Sequence, residues 1–246
     1  MKATAGKAAR EAAIARADAH SPFLRSAIET FPAIADRFRD EGSDAAVARA
    51  LALDGETLGE RLRLRRHALA LAVALGDLGG EKPLEWVTQT LSDFADAAMD
   101  EALAEAIFER VPDEEPRGLA ILALGKLGSS ELNYSSDVDL VLLFDPETLP
   151  RRPRDDPGEA AVRYGRRFVE LMQQRTAAGY VARVDLRLRP APEVTPIVLP
   201  VGAAISYYES SALPWERAAF IRARAAAGDR ALGQLFLDEI RPFIWR

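Results

Sequence analysis

Two aspartates stand two residues apart in Ser136-Asp137-Val138-Asp139-Leu140, at the entrance to an apolar stretch that runs to Phe144. A strand has a side-chain period of two, so both carboxylates fall on one face. Adjacent like charges raise each other's pKa unless a cation neutralises them, and a divalent metal is the simplest partner. Taken alone, the pair also fits a solvated strand edge. Upstream, Leu124-Gly125-Lys126-Leu127-Gly128-Ser129 closes another apolar run. Glycines there let the backbone approach a ligand, and turn N–H groups with a serine hydroxyl can cradle phosphate oxygens. An ordinary turn between strands is the plainer alternative. A third acid lies in Val184-Asp185-Leu186-Arg187-Leu188-Arg189-Pro190. Alternation there predicts Asp185, Arg187 and Arg189 on one face, either as a metal and phosphate wall or as salt bridges on a half-exposed strand.

Composition narrows the chemistry. The 246 residues contain no cysteine and only His20 and His67 as imidazoles. This excludes disulfides, thiolate zinc sites and a cysteine nucleophile, and leaves oxygen ligands, which favour magnesium or manganese. Neither histidine is assigned a role. A net charge of −6 argues against a protein that lives on nucleic acid by neutralising phosphates. The start is alanine-rich and mixed in charge, unlike a secretory signal, and the most apolar run, Ala68 to Leu75, is too short for a membrane span. A cytoplasmic setting without a membrane partner is expected. The apolar ending Phe243-Ile244-Trp245-Arg246 reads as the end of a fragment.

The elements that must position these residues come in two styles. Up to about Arg110 the pattern is helical. Ser21-Pro22 is an N-cap with proline at the first helical position, Pro32 separates two short helices, and a helix from about Glu56 to Asp77 ends at Gly79-Gly80. Pro83 opens another, with Leu84, Val87, Leu91, Phe94 and Ala98 at helical spacing. After Pro116 the pattern predicts strands over Leu119 to Leu124, Val138 to Phe144 and Tyr180 to Leu188, with a helix over Glu159 to Ala178. Pro190 to Pro200 is expected to be extended, and Ser206 to Arg224 and Asp229 to Ile240 to be helical. The fold class expected is therefore α+β, with a small mixed sheet flanked by helices.

The strand, Gly-Ser turn and acidic strand from Gly125 to Leu140 resemble the DNA polymerase β nucleotidyltransferase superfamily. A closer resemblance rests on Gly125-Lys126-Leu127-Gly128, Glu131-Leu132-Asn133, Ser135 to Leu140, and Arg183 to Pro190. These look like the signature blocks of the glutamine synthetase adenylyltransferases. Tyr207-Tyr208-Glu209, Trp215-Glu216-Arg217-Ala218, Ile221 to Arg224 and His20 to Leu24 extend the match over nearly the whole chain. Trp215, Glu216 and Arg217 nonetheless read as packing and capping residues.

That family carries two related nucleotidyltransferase halves in one polypeptide. The helical start and Thr195-Pro196 are similar to the amino-terminal half, which removes AMP from a tyrosine of glutamine synthetase by phosphorolysis and releases ADP. The resemblance implies a helical region over 1–115 and a nucleotidyltransferase domain over 116–246, truncated at its carboxy-terminal end. It further implies two magnesium ions, with manganese as the alternative, held by Asp137, Asp139 and Asp185. Gly128, Ser129, Ser136, Arg187 and Arg189 would bind phosphate or nucleotide. Implied partners are glutamine synthetase, inorganic phosphate, an adenine nucleotide and, in the full-length enzyme, the PII signal protein. Two departures stand out: Ser129-Ser130 where Gly-Arg is frequent, and Arg222 where lysine is usual. Adenylylation from ATP by the same fold, and a non-catalytic module binding glutamine synthetase or PII, are the competing readings.

Overall fold

The computed structural model describes residues 2–245. Six helices come first: α1 (Lys2–His20), α2 (Pro22–Thr30), α3 (Pro32–Glu41), α4 (Ser43–Leu51), α5 (Leu58–Leu78) and α6 (Leu84–Phe108). Strands then alternate with helices: β1 (Leu119–Ala123), α7 (Gly125–Gly128), β2 (Val138–Phe144), α8 (Pro157–Gln173), β3 (Val184–Asp185) and β4 (Val198–Pro200). The chain finishes with α9 (Val201–Ser210), α10 (Pro214–Phe220), β5 (Arg224–Gly228) and α11 (Arg230–Ile244). The α+β class expected from the sequence is the class observed.

Helix starts follow their caps. Ser21 accepts the Leu24 N–H at 3.3 Å, Thr57 accepts that of Glu60 at 3.2 Å, and Asp156 accepts that of Glu159 at 3.0 Å. Pro22 and Pro157 occupy first-turn positions where no N–H is missed.

The chain divides into two compact units. One holds residues up to 94 together with 175–181, and the other holds 95–174 with 182–246. The division between these units falls inside α6. The reason is chemical: Asp96 accepts the Arg224 guanidinium at 2.6 and 3.0 Å, and Asp100 accepts the Gly228 N–H at 2.8 Å. The second half of α6 is therefore built into the sheet unit.

In that unit β2 pairs antiparallel with β1 on one side, Ala123 facing Leu140. On its other side β3 pairs in parallel at the start of β2, and β4 pairs in parallel at the end, Val198 facing Leu142. β5 joins the far edge of β1, antiparallel. The core gathers Leu122, Val141, Leu143, Tyr208, Phe220 and Phe236.

Three expectations are corrected. The strand expected over Tyr180 to Leu188 is only Val184–Asp185. Its alternation breaks because the Asp185 carboxylate accepts the Arg187 N–H at 2.9 Å, an Asx turn that bends the chain away. The helix expected through Arg224 stops at Phe220, and the alanine-rich run that follows is β5. A Cβ placed on Gly233 of α11 would lie 2.8 Å from the Ala225 Cβ, so this strand must carry small side chains to admit its helix. Finally, α8 ends at Gln173 and not Ala178, and a Thr176–Gly179 bridge turns the chain.

Candidate active site

The parallel pairing of β2 with β3 sets Asp139 directly opposite Asp185. Partners in a ladder share a face, so the two carboxylates stand side by side at one end of the sheet. Asp139 has room because residue 125 is glycine: a Cβ there would lie 2.5 Å from Asp139 Oδ2. Gly125 also adopts φ +57, a left-handed conformation that other residues resist. Asp137 precedes β2 and is held by the Arg183 guanidinium, which also donates to the Ser135 carbonyl at 2.6 Å.

The electrostatics record this convergence. Partial burial pushes the Asp139 carboxyl above the usual carboxylate range, and Asp185 and then Asp137 push it further. Asp185 moves the other way, because hydrogen bonds from the Arg187 guanidinium favour its charged form. Arg187 Nε lies 3.0 and 2.9 Å from the two Asp185 oxygens, while most of its side chain is in solvent. Two acids therefore have guanidinium partners and the third carries the like-charge strain.

The Gly-Ser segment supplies cations and hydroxyls beside these acids. Lys126 Nζ donates to Ser136 Oγ at 3.2 Å, and Ser136 Oγ donates to Asn133 Oδ1 at 2.7 Å. Lys126 is near enough to lower the Asp139 pKa, against the larger opposing effects. Ser129 Oγ donates to the Gly125 carbonyl and accepts from Arg222 Nη1, both at 3.2 Å; Arg222 also binds Glu131. Gly128 serves packing here: a Cβ on it would lie 2.3 Å from the Arg222 carbonyl oxygen.

Asp137, Asp139, Asp185, Ser136 and Arg187 are thus brought to one end of the sheet, and Gly128 and Ser129 lie in the adjoining turn. Arg189 is not with them. Its guanidinium donates to the carbonyls of Leu186, Pro192 and Pro196 at 2.8, 2.7 and 3.1 Å, which places it at the centre of the 186–196 turn. Glu216 is buried and accepts the Leu213 N–H at 2.6 Å, a capping role, while Arg217 stacks on Phe243 at 5.3 Å. Sequence reasoning missed Arg183, although it has the same parity as Asp185 and Arg187 in an alternating run.

The donors fit a hard divalent cation in kind: all are carboxylate oxygens, and the strain on Asp139 is the sort that such a cation relieves. Among the described residues no three acidic or imidazole side chains form a ready-made metal cage. Asp137 is paired with Arg183 and Asp185 with Arg187. A cleft of about 560 Å³ lined by Phe144, Val162, Arg163, Arg166 and Val198 lies at the other end of β2. It is separated from Asp139 by five residues, roughly 16 Å of strand, and has no cluster of acids.

Residues 12–239 match the sequence profile of the family described as glutamate-ammonia ligase adenylyltransferase. The chain belongs to that family. It is 40% identical over 92% of its length to a bifunctional glutamine synthetase adenylyltransferase/adenylyl-removing enzyme of Rhizobium meliloti (strain 1021), covering 26% of that protein. It is 42% identical over its whole length to the enzyme of the same description from Mesorhizobium japonicum, covering 27% of it. With the one from Caulobacter vibrioides it shares 46% identity over 82% of this chain and 22% of that protein. The chain spans about a quarter of the length of these curated relatives. The family match covers both units, including the helical one. Among the described residues no helix is long and apolar enough to cross a membrane.

Proposed function

We propose that this chain carries the adenylyl-removing activity of its family: phosphorolysis of the AMP-tyrosine bond on glutamine synthetase, with release of ADP. The observation that supports this reading above all is the register of Asp139 against Asp185, with Asp137 at the same strand entrance. The relatives are named for both adenylyl transfer and adenylyl removal. The helical start and Thr195-Pro196, which resemble the amino-terminal half, favour removal.

In the reaction, an oxygen of inorganic phosphate forms a bond to the AMP phosphorus as the bond from that phosphorus to the tyrosyl oxygen breaks. The tyrosyl oxygen then takes a proton, and the products are ADP and a free tyrosine. Divalent ions held by Asp137, Asp139 and Asp185 would neutralise the phosphoryl oxygens and the leaving oxygen. Arg187 reaches into solvent from Asp185 and is free to exchange that carboxylate for an incoming phosphate. Lys126 and Ser136 offer further donors beside Asp137, and Arg222 holds the Ser129 hydroxyl in place. Arg183 fixes the direction of the Asp137 carboxylate.

The test uses adenylylated glutamine synthetase, magnesium and phosphate, with ADP measured. Asp139→Asn is expected to lower ADP release by roughly three orders of magnitude, the scale lost when a phosphoryl-transfer site loses its charge stabilisation. Undiminished release from this variant would reject the assignment. Label passing from ATP to unmodified glutamine synthetase, without ADP release, would assign the opposite direction.

A further inference from the structure

We propose that the first turn of α5, with Arg63 folded over Gly59, is a binding site for a small oxyanion, a phosphate or carboxylate group carried by a soluble metabolite. The inference is independent of the reaction proposed above. Four arginines crowd one stretch of α5, and three of them are accounted for. Arg61 lies 4.0 Å from Asp54, Arg65 Nε donates to the Leu53 carbonyl at 2.8 Å, and Arg66 stacks on Tyr180 at 5.6 Å. Arg63 is the exception. It is 6% exposed, and its Nε and Nη1 are enclosed with no hydrogen-bond partner among the described residues.

A guanidinium cannot shed its charge to suit such a place, so burial without an acceptor is costly unless an anion completes it. The acids close by in sequence are engaged. Glu60 Oε2 accepts the Glu56 N–H at 2.9 Å, and Asp54 Oδ1 accepts that of Gly55 at 2.9 Å in addition to facing Arg61.

The direction of the side chain matters as much as its burial. A Cβ on Gly59 would lie 3.2 and 3.3 Å from Arg63 Nη1 and Nη2, so the guanidinium lies back over the amino-terminal turn of a 21-residue helix. That end carries positive potential and unpaired donors. Thr57 satisfies the Glu60 and Arg61 N–H groups through its hydroxyl and carbonyl, while the N–H groups of Leu58 and Gly59 have no acceptor within the helix. An arginine fork and backbone donors at a helix start together match the oxygens of a phosphate or carboxylate.

Melting of this chain in EDTA, where the acidic site repels anions, is followed against inorganic phosphate and, separately, malonate. The expected result is a rise with at least one anion in the wild type, by mass action, that Arg63→Met reduces at least threefold; which anion acts identifies the ligand group. Arg63→Lys keeps a cation without the fork and is expected to retain a reduced rise, which decides the matter if the methionine variant does not fold. A crystal soaked in selenate is expected to show an anomalous peak over Gly59 and Arg63. A wild type indifferent to both anions, an undiminished rise in Arg63→Met and Arg63→Lys, or a selenate peak only elsewhere would overturn the proposal.

Discussion

Asp139 is the residue on which the site is strained. Its carboxyl is pushed above its usual 3.8 by burial and by Asp185 and Asp137, so between that value and the raised one the folded state holds a proton that the unfolded chain has released. Stability contributed by this position therefore falls as pH climbs through that window. Asp139→Asn is expected to remove the fall and, without metal at neutral pH, to raise the melting temperature by roughly 2 °C, a small figure because solvent screens the site. Scans of both proteins from acid to neutral pH check this; parallel curves would contradict it. Arg189 makes the opposite kind of prediction. Its bonds to three carbonyls mean that Arg189→Ala should destabilise the protein by about 1–3 kcal/mol, measured by denaturant unfolding, with no selective effect on the KM for phosphate. Both Arg189 and Arg187 have the spacing of phosphate ligands in the sequence. Only the Asx turn at Asp185, which depends on one side chain meeting one N–H, separates their fates.

Among the elements, those fixed by local chemistry were legible. The cap at Ser21 and the continuous apolar run of β2 announce themselves because the deciding contacts lie within a few residues. β5 was not, because its alanines are good helix formers whose strand state is imposed by the close approach of Gly233. Gly233→Leu is accordingly expected to cost about 1–3 kcal/mol through overpacking against Ala225 and Leu122, read from denaturant midpoints. In the helical unit Glu81 is a comparable device. Burial raises its pKa, but hydrogen bonds from Ser43 and Arg10 outweigh this and leave it below the usual 4.5. Its contribution is thus present above that pH and lost as pH falls through the lowered value. Glu81→Ala should cost about 2–3 kcal/mol at neutral pH by leaving Ser43 and Arg10 unpaired, and the difference from wild type should shrink in acid.

For the whole molecule, the sequence marks a change of style near Pro116, whereas the compact units part at residue 94. The discrepancy arises because Asp96 and Asp100 look like ordinary surface acids of a helix until β5 brings Arg224 and the Gly228 N–H to them. A chain beginning at Leu84 is therefore expected to keep the sheet unit folded, and one beginning at Pro116 to lose it, as seen by circular dichroism and amide exchange. The three acids were legible as types and spacings, but their meeting depends on the parallel pairing of β2 with a two-residue β3, which no pattern in the chain specifies. Their convergence on a divalent cation is also what the functional reading depends on. Manganese binding followed by electron paramagnetic resonance is the test: the wild type is expected to bind, and Asp139→Asn and Asp185→Asn each to weaken binding at least tenfold. Equal affinity in all three proteins, or none in the wild type, would contradict it.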